Sequence, residues 1–360
     1  MSSQNLLPRP PYDPQLVAAF DRMLPYPQTA QDIVKGRQLR AAAMAPLQAA
    51  IRNDEHLTVE DRTIPGPGGD GGPNQNQIPL VILRSKTSQT ETTTTDGGGG
   101  RGRPGIVYFH GGGMVLGDAF LAIEPFARIA KDLDAVVVSV EYRLAPEHPA
   151  PAPQDDCYAA LVWTAEHARD LGIDPARLMV AGVSAGGGLA AGAALRARDT
   201  GGPALCAQLL VYPMLDDRDD AGAGAGAGTS SSKRQFRRDT PYDATDNEGA
   251  WRCVLGDRAG VEDAAAVSPY VAPGRATDLS GLPPAYIDVG TAEPFRDENV
   301  AYATRLWDCG GQADLHVWSG GFHGFDLLGL AVGSEVARAA LETRLAWVRR
   351  VFGVAAAKAA

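Results

Sequence analysis

Apolar positions along the chain change their period as it proceeds. Over residues 12–24 they fall at Leu16, Val17, Phe20, Met23 and Leu24, close to one face of a helix. Residues 29–51, rich in Ala, Gln, Arg and Leu, read as a second helix. Residues 57–64 and 78–84 then read as strands, and the Gly/Pro/Asn-rich stretch 65–77 between them as a loose hairpin loop. Residues 87–103, with a Thr run and four consecutive glycines, form a low-complexity loop. From Ile106 onward short apolar runs alternate with helical stretches. The runs are 106–109, 135–140, 178–181, 205–212, 284–289 and 315–318. The helical stretches are 124–133, 155–171, 189–198, 297–309 and 335–352. Continuous apolar strands between helices imply an α/β fold: a mostly parallel sheet of about eight strands with helices on both faces. The opening strand pair adds an antiparallel edge.

One segment interrupts the alternation. Residues 216–268 lie between two strands and carry an Ala-Gly repeat at 221–228, a Ser run and a helical stretch at 248–255. The expected division is therefore N-terminal cap helices at 1–56, a first part of the catalytic domain at 57–215, a cap insertion with a flexible Ala/Gly/Ser loop at 216–268, and the rest of the catalytic domain at 269–360.

Composition narrows the partners. The 42 Gly and 26 Pro in 360 residues exceed average usage, but no Gly-X-Y period runs and 44% hydrophobic content argues against global disorder. A net charge of −10 disfavours nucleic acid or an anionic membrane surface as partner. The basic cluster Lys233, Arg234, Arg237 and Arg238 reads as a solvated loop. Four cysteines, at 157, 206, 253 and 309, show no CxxC, so neither a disulfide framework nor a zinc site is expected. No apolar run reaches the roughly 18 residues of a membrane span. The first residues lack a basic-then-apolar leader. The expectation is a cytoplasmic protein with no integral membrane segment.

Two motifs carry chemistry. Gly182-Val183-Ser184-Ala185-Gly186 lies between a strand and a helical stretch, the context of a nucleophile elbow. So tight a turn needs small residues two positions before and after the serine, and Gly182 and Gly186 meet that need. His110-Gly111-Gly112-Gly113 directly follows a strand. Glycines let backbone N–H groups turn outward toward an oxyanion. No Lys-Ser/Thr follows them, which excludes a phosphate-binding P-loop. A base must come from His56, His110, His148, His167, His316 or His323. His323 stands in a loop just after the last strand, where catalytic groups of parallel sheets collect, and follows the serine in the order Ser…acid…His. His110 reads as a structural hydrogen-bonder within the glycine loop. The acid is sought at Asp288, Glu293, Asp297 and Glu298. Asp288 falls within a strand, and Asp297 and Glu298 in the first turn of a helix. Glu293, in the loop at the strand end, is the preferred residue.

These pieces resemble the hormone-sensitive-lipase-like group of α/β-hydrolases. The matching motifs are His110-Gly-Gly-Gly113, Tyr142-Arg-Leu-Ala-Pro-Glu-His-Pro149, Gly182-Val-Ser-Ala-Gly-Gly187, Glu293-Pro-Phe-Arg-Asp-Glu298 and Phe322-His-Gly-Phe325, in the family's order. The resemblance implies a cofactor-independent serine carboxylesterase (EC 3.1.1.-) with Ser184, His323 and Glu293 as triad. It implies an oxyanion hole from Gly111, Gly112, Gly113 and Ala185, a helical cap, and no metal. The expected partner is a small-molecule ester with a short to medium acyl or an aryl group; a homodimer is compatible with it. An amidase, lactonase or acyl transferase would use the same chemistry. A non-catalytic binding protein on a hydrolase scaffold is disfavoured, because such proteins tend to lose the histidine. Three departures stand out: Val183 and Glu293 where the family usually has Asp, and Met114, expected at an acyl-pocket wall, where an aromatic is frequent. Arg143 and Glu147 read as a structural network around the Pro-rich loop, and Asp155 and Asp156 as capping residues of the next helix.

Overall fold

The computed structural model describes residues 8–20, 26–27, 30–67, 76–86, 102–218, 231–263 and 265–354. The chain enters through α1 (Pro14–Val17) and α2 (Ala30–Arg52), then forms β1 (Leu57–Pro65) and β2 (Gln77–Ser85). There follow β3 (Arg103–Phe109), α3 (Glu124–Asp132), β4 (Val136–Val140), α4 (Ala152–Glu166), β5 (Ile173–Val183), α5 (Ala185–Thr200) and β6 (Ala207–Val211). Next come α6 (Ser231–Gln235), α7 (Ala244–Leu255), β7 (Ala285–Gly290), α8 (Arg296–Asp308), β8 (Ala313–Trp318), α9 (Phe325–Leu330) and α10 (Glu335–Phe352).

Among the described residues, the strands join one eight-stranded sheet in the order β1-β2-β4-β3-β5-β6-β7-β8. β1 pairs β2 and β2 pairs β4 antiparallel; every later pairing is parallel. Burial follows position in the sheet. Every residue of β4, β6 and β7 is buried, whereas the edge strands β1 and β8 are exposed at several positions. Central strands are covered on both faces and select β-branched and aliphatic side chains. The parallel strands therefore end together, and the loops after β3, β5, β7 and β8 carry the motif residues.

Several local expectations change. α1 stops at Val17, and its N-cap Asp13 accepts from the Gln15 N–H. α4 begins before Asp155, with Pro151 at the N-cap and no side-chain cap. Asp156 is thus not a cap. It is buried and takes a two-pronged ion pair from Arg143, at 2.8 Å on each oxygen. Asp155 does lie in the first turn, where it pairs with Arg196. Glu147 is bound by Arg37 of α2 at 2.7 Å. α7 starts earlier than expected because Asp243 and Asp246 form a capping box.

The basic cluster needs a correction. Arg234, Arg237 and Arg238 are exposed, but Lys233 is buried on α6 with its ammonium 3.3 Å from Glu298 on α8. A solvated reading fails there because the α6 turn folds onto α8, where a buried carboxylate supplies the counter-charge. The low-complexity stretches 68–75, 87–101 and 219–230, including the Ala-Gly repeat, lie outside the described residues.

Candidate active site

Ser184 occupies the turn between β5 and α5 with φ 57° and ψ −120°, a strained conformation for a side-chain-bearing residue. Its neighbours leave no alternative to glycine. A Cβ on Gly182 would lie 2.0 Å from the Gly186 carbonyl oxygen, and one on Gly186 would lie 2.0 Å from that of Phe109. Hydrogen bonds fix the turn: the Ser184 N–H donates to Val211 at 2.8 Å, and its carbonyl accepts from Gly188 at 3.1 Å and Met214 at 3.0 Å. The side chain is left at 5% exposure, facing the loops at the strand ends.

Two of those loops meet it. His323, between β8 and α9, places Nε2 at 2.9 Å from the Ser184 Oγ. Glu293, between β7 and α8, places Oε2 at 2.7 Å from the His323 Nδ1. The other carboxylate oxygen of Glu293 accepts from the Gly290 N–H at 2.9 Å. An ionised Glu293 accepts a hydrogen bond from the Nδ1–H of His323, which leaves Nε2 as the acceptor facing the serine hydroxyl. The competing carboxylates are engaged elsewhere. Asp288 is buried against Arg344 at 2.9 Å. Asp297 accepts from the Ser232 N–H and from Arg296, and Glu298 from the Leu215 N–H.

The glycine loop after β3 reaches the serine from the third side. A Cβ on Gly111 would lie 3.4 Å from the Ser184 Cβ. Gly112 and Gly113 adopt φ of 105° and 67°, open to glycine at little cost. Ala185 is the first residue of α5, so no helical carbonyl claims its N–H. His110 anchors the loop from below. Its Nδ1 lies 2.8 Å from the Gly111 carbonyl oxygen, and its ring stacks at 4.1 Å on Tyr142, whose hydroxyl donates to the His110 carbonyl. Burial lowers its pKa to about 4, so the ring is neutral near pH 7 and Nδ1–H is the donor. Met114 is buried, and its sulfur accepts from Gln154 at 3.3 Å. Val183 packs into the core.

Residues 106–327 match a family model described as the alpha/beta hydrolase fold. The chain belongs to the α/β-hydrolase fold family. It is 38% identical over 231 residues to Esterase LipI of Mycobacterium tuberculosis, a match that spans 62% of this chain and 65% of LipI. It is 42% identical over 235 residues to Carboxylesterase NlhH of the same species, spanning 64% of this chain and 68% of NlhH. The solved structure titled Bacterial Heroin Esterase superposes with a TM-score of 0.80 at 34% identity, over 95% of this chain and 98% of that one. These relatives agree with the hormone-sensitive-lipase-like resemblance of the motifs.

Within this hydrolase, burial pushes the Glu293 carboxyl above its usual range, and the adjacent His323 opposes the shift. Three aromatic residues surround the imidazole. Tyr212, Phe295 and Tyr242 place their ring centres at 4.7, 5.0 and 5.0 Å from it. Phe295 sits inside the Glu293-Pro-Phe motif and was within reach of sequence reading. Tyr242 follows a segment without periodicity and carried no such mark. Among the described residues, no group of three or more His, Cys, Asp or Glu could hold a metal ion, and no helix is long and apolar enough to cross a membrane.

Proposed function

We propose that this α/β-hydrolase is a serine carboxylesterase acting on short to medium acyl or aryl esters. Ser184 attacks the ester carbonyl while His323 takes its proton. The N–H groups of Gly111, Gly112, Gly113 and Ala185 are the donors available to the tetrahedral oxyanion. Losing one such donor costs about 2.7–4 kcal/mol of transition-state stabilisation. His323 then hands the proton to the leaving alcohol, and water attacks the acyl-enzyme by the same route in reverse. Glu293 orients His323 and stabilises the imidazolium. The helices of residues 1–56 and 216–268 act as a cap over this site. The approach of Tyr26 and Ala250 to Gly113 supports that division, because a Cβ on Gly113 would meet them at 2.5 and 3.0 Å.

The hydrogen-bonded chain Ser184–His323–Glu293 carries the reading, and the relatives' names, esterase and carboxylesterase, agree with it. Turnover of p-nitrophenyl butyrate tests it. Ser184→Ala is expected to lower kcat by about 10⁴-fold or more. An organophosphate is expected to label Ser184 in the wild type, read by peptide mass spectrometry. A wild type with neither turnover nor label overturns the proposal.

A further inference from the structure

The rings around His323 leave one polar atom unaccounted for. Tyr242, two residues before α7, holds a left-handed φ of 56°, which bulky side chains rarely adopt. That backbone carries its ring against the imidazole of His323, 5.0 Å away and tilted by 31°. Tyr26 meets the same ring edge-on at 5.1 Å. Tyr26 in turn lies against the glycine loop, its hydroxyl 2.5 Å from where a Gly113 Cβ would stand. The two tyrosines thus bridge the base and the oxyanion loop, the groups between which an ester must lie.

The Tyr242 hydroxyl is buried and has no hydrogen-bond partner among the described residues. A buried donor left unpaired is costly, and Phe in its place would be free of that cost. Burial holds the phenol far above its ordinary pKa, so it remains a donor. Asp246, Glu298 and Asp243 add negative field around it, which disfavours an anionic acceptor. The side of the ester it faces follows from the proposed chemistry. His323 delivers a proton to the leaving alcohol, so that half of the substrate must lie at the imidazole, and Tyr242 covers the same imidazole.

We propose that the Tyr242 hydroxyl donates a hydrogen bond to the alcohol half of the bound ester and selects alcohols or phenols bearing a neutral acceptor, such as an ether or carbonyl oxygen. This rests on the ester-hydrolysis reading above. Two esters of one shape isolate the effect: n-butyl butyrate and 2-methoxyethyl butyrate differ by a CH₂ exchanged for an ether oxygen. With hydrolysis followed by pH-stat titration, wild-type kcat/KM is expected to favour the ether by roughly three- to tenfold. Tyr242→Phe is expected to bring the ratio to about one through a loss of kcat/KM on the ether. Its Tm is expected to equal or exceed that of the wild type, because the hydroxyl it loses has no partner among the described residues. Equal wild-type rates on the two esters, a preference that survives in Tyr242→Phe, or a lowered Tm in that variant each overturn the proposal. A wild type that hydrolyses neither ester overturns the esterase reading instead.

Discussion

Glu293 holds His323 through one oxygen and is held by the Gly290 N–H through the other. This fixes what a neutral isostere does. In Glu293→Gln the amide oxygen stays with the Gly290 N–H, since the alternative sets two donors face to face. The amide NH₂ then faces His323 Nδ1 and forces the other tautomer, with Nε2–H pointing at the Ser184 Oγ. An imidazole in that state cannot accept the serine proton. The expected outcome is a fall in kcat of about 10³–10⁴-fold with KM little changed, measured by steady-state kinetics on p-nitrophenyl butyrate. An activity near wild type would remove Glu293 from the proposed triad. The serine, the histidine and the acid were legible because each sits in a short motif with a backbone reason for its residues. Tyr242 was not, because its role depends on a fold-back that brings residue 242 onto a loop at residue 323.

Strands and helices were legible in proportion to their length and burial. All eight strands announce themselves as apolar runs or alternating edges, since the sheet demands it. α6 and α9, of five and six residues, are too short to show a helical period. The start of α7 was missed because its capping box uses Asp at the third position rather than the usual Glu or Gln. Glycines within helices look alike in sequence, and structure separates them. At Gly249, in α7, a Cβ would meet nothing within 4 Å among the described residues, whereas at Gly186 it would strike the Phe109 and His110 carbonyl oxygens at 2.0 and 2.5 Å. Gly249→Ala is expected to raise stability by about 0.5–1 kcal/mol through helix propensity. Gly186→Ala must push β3 and the glycine loop away from the elbow, so both stability and activity should drop sharply. Urea unfolding of the two variants beside wild type checks the contrast, and a stable, active Gly186→Ala would contradict the close approach of the elbow to β3.

At the scale of the molecule, buried ion pairs join segments far apart in sequence. Arg275 binds Asp217, Arg344 binds both Asp288 and Asp326, and Lys233 faces Glu298. Their partners carry no local pattern, which is why Lys233 looked like one more solvated charge. The Lys233 pair bears on the site, because the adjoining Ser232 hydroxyl donates to the Pro294 carbonyl, one residue past Glu293. Burial pushes the Glu298 carboxyl up to about 7, against the pull of Lys233. Lys233→Met strips Glu298 of its counter-charge at 2% exposure, and the expected loss of stability is about 3–5 kcal/mol at pH 8. The sign with pH follows from proton binding. Without Lys233 the folded-state pKa of Glu298 rises further above its unfolded value, so the folded protein holds a proton that the unfolded chain releases. Stability of the variant therefore falls as pH rises through this range, and part of the loss returns on acidification from pH 8 to pH 6. A remainder independent of pH belongs to the Asp216 and Arg218 carbonyls, which lose the ammonium as donor. Replacing Glu298 by Gln in the Lys233→Met background should remove the pH-dependent part and leave that remainder. Chemical denaturation at the two pH values reads both quantities. A Lys233→Met deficit equal at pH 6 and pH 8 would mean that the charge on Glu298 is not what Lys233 compensates.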